Sequence, residues 1–274
     1  MTTILDEIII QRRKDIAELK NRYPLHRLRE ATENKPKQNI RSFKKAVSNT
    51  KRFNLICELK KASPSAGVLI EDFQPLRIAG AFEFAGAAAI SVLTEPHFFK
   101  GRPSYLKTIR QVTTIPLLRK DFIFESYQLY ESSLLEADAF LLIAGILTEK
   151  ELKDLIALGK SLHMDALIEV HNDEDLKKAL GAGAEIIGIN NRDLKDFTVD
   201  PYRAQKLLSH IPKNIIPVIE SGLKTHDELL GYKSLGVHSF LIGTTLMKST
   251  DIVGTIRELL GLEKKWKKSE SGGL

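Results

Sequence analysis

The sequence predicts a (β/α)8 barrel with an N-terminal helical extension, within one domain that spans all 274 residues. From residue 53 onward, eight short runs rich in β-branched residues are each followed by a segment with helical periodicity. Strands that alternate with helices in this way pair in parallel through right-handed crossovers. Eight such units in about 210 residues fit a closed barrel better than a doubly wound sheet.

The predicted strands and helices follow one another along residues 53–263. The strands are expected at Asn54–Lys60, Ala88–Leu93, Ile115–Lys120, Ala139–Ile143, Ala166–Val170, Ile186–Asn190, Ile215–Glu220 and Ser239–Ile242. The helices are expected at Pro75–Phe84, Ser104–Val112, Ser126–Leu135, Glu149–Leu162, Asp173–Leu180, Pro201–Leu208, His226–Leu235 and Ile252–Leu260. Gly86, Gly181 and Gly236 stand between a helix and the next strand, where glycine readily forms a helix C-cap.

Residues 1–52 are expected to form a helical extension packed on the barrel, because they are too few to bury a core of their own. Ile4–Lys20 has an amphipathic pattern, with Thr3 as its N-cap. The apolar side of this helix comprises Ile4, Leu5, Ile8, Ile16 and Leu19. A second helix is expected at Ile40–Val47, and residues 264–274 form a basic tail.

The net charge of +6 is distributed unevenly along the chain. Residues 1–52 carry 14 Lys and Arg against 6 Asp and Glu, whereas residues 53–263 carry 23 basic against 28 acidic residues. A nucleic-acid-binding protein usually carries a basic stripe interleaved with aromatic residues. The KKWKK segment of the tail only briefly imitates that pattern, so we interpret it as a solvated chain end and expect no nucleic-acid partner.

The composition excludes several classes of protein. The 43% hydrophobic and 28% charged residues are typical of a globular protein and exclude a disordered chain or a coiled-coil rod. No apolar run reaches the ~20 residues of a membrane helix, and the first residues lack a secretory signal pattern. The single cysteine, Cys57, excludes an intrachain disulfide and a cysteine-rich metal site. We therefore expect a cytoplasmic protein without membrane contact.

Ionisable and amide side chains stand at the ends of the predicted strands, where a barrel of this kind carries its chemistry. They are Glu58, Lys60, Lys120, Glu169, Asn190 and Glu220. Because side chains alternate along a strand, Glu58 and Lys60 share one face, and Cys57 points the other way as a buried apolar residue. Burial of isolated charges is costly, so this set predicts a network of lysines and carboxylates around a polar ligand.

Two short glycine-bearing turns follow the last two predicted strands. They are Ser221-Gly222 and Gly243-Thr244-Thr245, and the second opens a brief helical turn with the sequence TTLM. Backbone N–H groups at such turns, with a helix N-terminus behind them, bind anions. Barrels often use the loops after strands seven and eight for phosphate. We therefore predict a phosphate site here.

Long sequence motifs, each present once, follow one another along nearly the whole chain. They are ICELKKASPSAGVL, SVLTEPHFFKG, PLLRKDFI, LLIAGILTEKEL, ALIEVHNDEDL, GAEIIGINNRDLKDFTVD, VIESGL and FLIGTTLMKS. Together with the N-terminal ILDEIIIQRRKDIAELK, they resemble the indole-3-glycerol-phosphate synthase family. The resemblance implies a carboxy-lyase of tryptophan biosynthesis. Its reaction closes the ring of 1-(2-carboxyphenylamino)-1-deoxy-D-ribulose 5-phosphate with loss of CO2 and water, giving indole-3-glycerol phosphate.

The resemblance also implies roles for individual residues. Lys120 is the general acid on the ribulose carbonyl, and we expect neighbouring cations and desolvation to lower its pKa toward the working range. Glu169 stabilises the cationic ring intermediate or assists dehydration, and Lys60 protonates the departing hydroxyl, although the division between the two lysines stays open. Substrate hydroxyls and the lysines are positioned by Glu58, Asn190 and Ser221. The anionic groups of the substrate contact Ser63, Gly222, Gly243, Thr244 and Arg192, and Glu220 also lines the binding site.

Apolar residues near the barrel mouth are candidates to hold the aromatic ring of the substrate. Phe99 and Phe122 are expected to sandwich the ring, with Leu194 or Ile242 as a further wall, although ordinary packing is an open alternative for all of them. Such walls favour ring closure, because two parts of one substrate must fold together. The loop Ala62–Ile70 is rich in small residues and is expected to close over the substrate.

No metal or nucleotide cofactor is expected. The seven histidines are dispersed without ligand spacing, and GxGxxG, Walker A and HExxH motifs are absent from the sequence. His171 follows a predicted strand and is interpreted as a structural loop residue. We expect a monomer that binds a small phosphorylated molecule, with weak association to other enzymes of the tryptophan pathway as an open alternative.

Three other functions remain as alternatives. Phosphoribosylanthranilate isomerase shares the barrel and the phosphate site, but it needs a Cys/Asp acid–base pair where this chain has Glu and Lys. The tryptophan synthase α subunit is a further barrel of the pathway and lacks the pair of lysines by resemblance. A barrel without catalytic activity, using its basic ends for scaffolding or RNA binding, belongs to a different class altogether.

Overall fold

The computed structural model describes residues 3–35, 41–193 and 198–262. Eight parallel strands form a closed barrel in chain order, with the first strand paired to the last. The barrel strands are β1 (Asn54–Leu59), β4 (Ala89–Leu93), β5 (Leu117–Lys120), β6 (Ala139–Ile143), β7 (Asp165–Val170), β8 (Ile186–Asn190), β9 (Ile216–Glu220) and β10 (Ser239–Ile242). The strands β2 (Ala62–Ser63) and β3 (Gly67–Val68) form a separate antiparallel hairpin after β1. The predicted (β/α)8 barrel is confirmed.

Helices surround the barrel and precede it. They are α1 (Ile4–Arg22), α2 (Leu25–Glu33), α3 (Phe43–Val47), α4 (Pro75–Ala85), α5 (Tyr105–Arg110), α6 (Ser126–Leu134), α7 (Glu149–Ser161), α8 (Asp173–Gly181), α9 (Pro201–Leu208), α10 (His226–Ser234), α11 (Thr244–Met247) and α12 (Ile252–Leu259), with a 3-10 turn at Ala144–Ile146. The barrel strands and helices begin and end within two residues of their predicted bounds. None of the helices in the described ranges is long and apolar enough to cross a bilayer.

Apolar side chains fill the barrel from within and join it to the surrounding helices. Alternation along β1 places Ile56 in the interior cluster, whereas Leu55, Cys57 and Leu59 join the outer cluster beneath the helices. Cys57 is fully buried, and burial raises the pKa of its thiol. The predicted outward, apolar position of Cys57 is therefore confirmed, and Glu58 points inward at the barrel mouth.

The N-terminal extension contacts the barrel at both ends. Helix α1 begins at Ile4, and Thr3 is its N-cap, as predicted; the side chain of Thr3 accepts a hydrogen bond from the backbone of Asp6 in a capping box. At the opposite end, helix α3 lies against the starts of the strands, where the carbonyl of Val47 accepts from Ser239 and the backbone of Lys44 donates to Asp165. Helix α2 was not predicted, and α3 is shorter than expected, with Ile40 outside the described residues.

A buried ion-pair network fixes α1 to the barrel. Arg12 donates to both carboxylate oxygens of Asp121, at 3.1 and 3.0 Å, and to Asp15 at 2.9 Å. Asp121 also pairs with Arg119 at 3.0 Å and accepts from Thr94 at 2.7 Å. Burial opposes the ionisation of Asp121, but the two guanidiniums outweigh it and hold its pKa below the usual range. Because Asp121 directly follows Lys120, the network also supports the end of β5.

Candidate active site

A cavity of about 440 Å³ opens at the carboxyl ends of the barrel strands. It brings together these residues predicted from the sequence: Glu58, Lys60, Ser63, Phe99, Lys120, Phe122, Glu169, Asn190, Arg192, Glu220, Ser221, Gly222, Gly243 and Thr244. Lining residues that were not predicted include Leu93, Leu141, Leu241, Asp121 and Lys224. The leucines come from the apolar strands themselves and give the cavity an apolar surface below its charged groups.

Two lysine–carboxylate clusters occupy the cavity wall. Lys120 Nζ lies 2.6 Å from Oε2 of Glu169 and 2.9 Å from Oε2 of Glu220. Lys60 Nζ lies 2.6 Å from Oε2 of Glu58. Glu58 is on β1 and Glu169 is on β7, which lies on the opposite side of the closed barrel. Burial makes an unpaired charge costly, so each lysine in the wall is paired with at least one carboxylate.

The carboxylates around Lys120 determine its protonation. Burial disfavours the charged ammonium, but Glu169, Glu220 and Glu58 outweigh it and raise the pKa of Lys120. The predicted lowering of this pKa is therefore wrong, because it assumed cationic neighbours where the structure has carboxylates. Lys120 carries its proton at neutral pH, which is the state that a general acid needs.

Glu169 and Glu220 share Lys120 but differ in acidity. Burial disfavours the ionisation of Glu169, yet Lys120 and His171 outweigh it and lower the pKa of Glu169. Burial raises the pKa of Glu220 to about 7, with Lys120 opposing the shift and Glu169 reinforcing it. Glu169 is thus the more acidic carboxyl of the pair, and it is the one that stays ionised beside Lys120.

Polar neighbours fix the second oxygen of Glu169. The side-chain amide of Asn190 donates to Oε1 at 3.1 Å, and the carbonyl oxygen of the same amide accepts from the backbone of Arg192 at 3.0 Å. His171 Nε2 lies 3.3 Å from this Oε1. His171 was predicted to be a structural loop residue, and that interpretation missed its contact with Glu169. The signal was present in the sequence, since His171 directly follows the same strand.

Two glycines make room for the carboxylates. A Cβ atom at Gly243 would collide with Oε2 of Glu58, and a Cβ atom at Gly188 would collide with Oε1 of Glu220. Gly188 lies within β8, next to β9, which carries Glu220. An alanine at either position would therefore have to displace the carboxylate, and Gly188 was not identified from the sequence.

The two predicted phosphate-binding turns lie side by side, because they follow the neighbouring strands β9 and β10. Ser221 and Gly222 both have positive φ, at 64° and 83°, and a Cβ at Gly222 would lie 2.9 Å from Val199 Cγ1. Gly243 precedes the short helix α11, and Lys224 adds a cation to the same part of the cavity lining. Backbone N–H groups and a lysine around one hollow are suited to an anion.

Aromatic side chains form another part of the wall. The ring centroids of Phe99 and Phe122 are 6.1 Å apart and the rings are tilted by 39°, so they contact each other. The predicted sandwich is wrong for this arrangement, because it leaves no space for a substrate ring between them. The loop that carries Phe99 is held by Glu95, which is fully buried and accepts hydrogen bonds from the backbones of His97, Phe98 and Phe99. Ile242 lines the cavity as well, whereas Leu194 lies outside the described residues. Glu95 was not predicted as a site residue.

The loop after β1 is more ordered than its composition suggests. Ala62–Ser63 pairs with Gly67–Val68 in the β2–β3 hairpin, and Ser63, Pro64 and Ser65 line the cavity. Its closure over a substrate stays a prediction. No cluster of His, Cys, Asp and Glu suited to a metal ion occurs among residues 3–35, 41–193 and 198–262, and the basic tail lies outside these ranges.

A closed (β/α)8 barrel with paired lysines and carboxylates at its mouth, beside two glycine-bearing turns, is typical of the (β/α)8-barrel class of enzymes. The family model described as indole-3-glycerol phosphate synthase matches residues 5–259. The chain therefore belongs to the indole-3-glycerol phosphate synthase family.

Curated relatives carry the same name. The indole-3-glycerol phosphate synthase of Campylobacter jejuni (strain 81116) is 47% identical over 94% of this chain and 100% of its own length. That of Endomicrobium trichonymphae is 50% identical over 84% of this chain and 89% of its own length.

Solved structures share the fold at low identity. The 3-hexulose-6-phosphate synthase of Salmonella typhimurium has a TM-score of 0.61 at 14% identity, covering 76% of this chain and 97% of its own. The N-acetylmannosamine-6-phosphate 2-epimerase of Clostridium perfringens has a TM-score of 0.59 at 16% identity, covering 77% and 93%. At this identity the likeness concerns the barrel alone.

Proposed function

We propose that this chain converts 1-(2-carboxyphenylamino)-1-deoxy-D-ribulose 5-phosphate to indole-3-glycerol phosphate, with loss of CO2 and water, in tryptophan biosynthesis. The family supports this reaction. The observation that carries the assignment of roles is the position of Lys120 Nζ, between two buried carboxylates at 2.6 and 2.9 Å and within the cavity lining. A charged ammonium held in this way is a preorganised proton donor.

The substrate has two anionic ends and one aromatic ring, and the cavity offers a partner for each. The phosphate binds at the turns of Gly222 and Gly243, with Ser221, Thr244 and Lys224 around them. The aromatic ring lies by Phe99 and Phe122, and Ser63 and Arg192 are candidates for the remaining anionic group. When both ends are bound, the flexible ribulose chain is folded so that the ring carbon meets the carbonyl carbon. This lowers the entropic contribution to the activation barrier.

Ring closure needs a proton on the ribulose carbonyl oxygen. The ring carbon that bears the carboxylate attacks the C2 carbonyl carbon, and Lys120 donates its proton to the oxygen, which becomes a hydroxyl. The ring is then cationic, and the ionised Glu169 stabilises it, because its pKa is lowered in this site. Loss of CO2 returns the bonding electron pair to the ring and restores its aromaticity.

Dehydration completes the indole. Lys60 donates a proton to the hydroxyl, which leaves as water, and Glu169 accepts the proton lost from the adjacent carbon. Glu58, at 2.6 Å from Lys60, orients that lysine as Glu220 and Glu169 orient Lys120. Asn190 holds Glu169 in place by its hydrogen bond at 3.1 Å.

A purified-protein assay tests this proposal. The carboxyphenylamino substrate should give the fluorescence of the indole product, and Lys120→Ala should lower kcat by at least about 10²-fold while the protein keeps its fold and substrate affinity. The matched control is Lys107→Ala, an exposed lysine on helix α5, which should leave kcat unchanged. Near-normal turnover of Lys120→Ala would remove Lys120 from the acid role.

The same assay separates the alternatives. Isomerase activity would appear with phosphoribosylanthranilate as substrate, but Cys57 faces away from the cavity in the outer cluster and offers no acid–base partner there. Binding of RNA without turnover would favour the non-catalytic alternative. We further propose a cytoplasmic monomer without a nucleic-acid partner, and sedimentation of the purified chain, alone and with other enzymes of the pathway, tests its association state.

A further inference from the structure

His171 stands between the cavity and helix α8. Its side chain is 12% exposed and directly follows β7, and its Nε2 lies 3.3 Å from Oε1 of Glu169. On the other side of the ring, Nδ1 lies 3.8 Å from Oδ2 of Asp175. The imidazole therefore connects a carboxylate of the cavity with a carboxylate outside its lining.

Asp175 is itself fixed by the first turn of α8. Its Oδ2 accepts from the backbone of His171 and from the side chain of Asn172, both at 3.2 Å. The backbone of Asp175 donates to Asn172, the N-cap of the helix, at 2.9 Å. These bonds hold the chain just after β7 against the helix, so the ring of His171 has a defined position relative to Glu169.

Acidic groups dominate the surroundings of His171. The carboxyl groups that face it are those of Glu169 on β7, Asp175 on α8 and Glu220 on β9. Lys178 forms an ion pair with Asp175 at 3.5 Å, and Lys120 forms ion pairs with Glu169 and Glu220 on the cavity side, so both lysines partly offset the negative charge near His171. Burial disfavours the imidazolium, but Glu169, Asp175 and Glu220 outweigh it and raise the pKa of His171.

We propose that His171 is a positioning residue for Glu169, orienting its carboxylate so that Oε2 faces Lys120, with Asp175 anchoring the imidazole from behind. Oε1 of Glu169 then accepts the hydrogen bond of Asn190 and lies 3.3 Å from Nε2 of His171 as an ion pair, whereas Oε2 accepts from Lys120. The inference rests on the proposed role of Glu169 in ring closure. It adds a charged support that acts through Glu169 and does not touch the substrate.

The test compares His171→Asn with wild-type protein in kcat measured against pH. Asparagine keeps a polar side chain of similar size but removes the charge of the ion pair. The acid limb of kcat, where Glu169 takes up a proton, should therefore move upward by about one pH unit, which is the lower end of the effect of an adjacent charge, because Lys120 remains. The KM should change less than about twofold, since Glu169 acts in the chemical step. Asp175→Asn should move the limb in the same direction by a smaller amount.

The control is His210→Asn, which removes an exposed histidine that pairs with Asp173 at 3.1 Å on the outer surface. It should leave both kcat and the acid limb unchanged. An unmoved acid limb in His171→Asn, or a rise in KM alone, would overturn the proposal. If the wild-type protein showed no turnover of the carboxyphenylamino substrate, that result would instead contradict the proposed function.

A second measurement needs neither turnover nor a foldable His171 variant. The ring of His171, titrated by NMR in wild-type protein, should show a pKa above the usual value for histidine, and that pKa should fall in Glu169→Gln. An unchanged pKa in Glu169→Gln would show that the two groups are not coupled, and the proposal would be wrong.

Discussion

Replacement of Arg12 by methionine tests how the extension is held on the barrel. The guanidinium is 2% exposed and makes three N–H···O contacts of 2.9 to 3.1 Å to Asp121 and Asp15. Removing one partner of a buried ion pair costs about 3–5 kcal/mol, because the other charge stays buried without compensation. Asp121 keeps Arg119 and Thr94, so we expect the lower end, about 3 kcal/mol of unfolding free energy.

Urea unfolding followed by far-UV circular dichroism measures this loss as a lower midpoint at an unchanged m-value. The matched control is Lys14→Met, an exposed position on the same helix, where the change should stay within about 0.5 kcal/mol. A loss below about 1 kcal/mol in Arg12→Met would show that the pair is not a main anchor of α1, against the cost expected for a buried pair.

The same experiment has a defined pH dependence. The pKa of Asp121 is lowered in the folded protein, against the burial that opposes its ionisation. Its contribution to stability is therefore complete above the unfolded pKa of about 3.9 and is lost as the pH falls through the folded value. The difference between wild-type protein and Arg12→Met should thus be constant near neutrality and shrink in acid.

Three further changes address the cavity. Gly188→Ala should displace the carboxylate of Glu220 and lower kcat by about tenfold or more, with Gly231→Ala, in open space on α10, as the control. Glu95→Gln should raise the KM more than it lowers kcat, because it weakens the support of the loop that carries Phe99; an unchanged KM would contradict that support. Glu220→Gln should gain stability in urea relative to wild-type protein as the pH rises from about 4.3, the usual pKa of an unfolded glutamate, to about 7, and the difference should be level above that, because the raised pKa of Glu220 favours its neutral form in the folded state.

Local pattern was sufficient for the barrel and for most of the cavity. Alternation along a strand places Glu58 on the inner face, and the parallel order brings the ends of distant strands to one mouth. Residues such as Glu169 and Asn190 could therefore be placed together without coordinates. Their roles in catalysis are still predictions, because position alone does not measure chemistry.

Features that depend on distant partners were missed. Arg12 lies on the buried side of α1 and makes sense only beside Asp121, which is 109 residues away. Gly188 leaves space for the carboxylate of Glu220 on the neighbouring strand, and no local pattern in the sequence reveals that contact. Helix α2 carries few apolar residues, and only its partly buried Leu25 and Leu28 pack against the core cluster among its described residues. The direction of the Lys120 pKa was mistaken because the sign of its neighbours depends on tertiary structure.

The docking of the extension at both ends of the barrel has a consequence for the order of folding. The segment is synthesised before the barrel strands, yet Val47 accepts its bond from Ser239, 192 residues later in the chain. Contacts of such long range are slow to form, and the first residues of the chain must wait for the last strand to be synthesised. Attachment of α3 is therefore a late event in folding. Protection of the α3 backbone amides against hydrogen exchange would report that the barrel has closed.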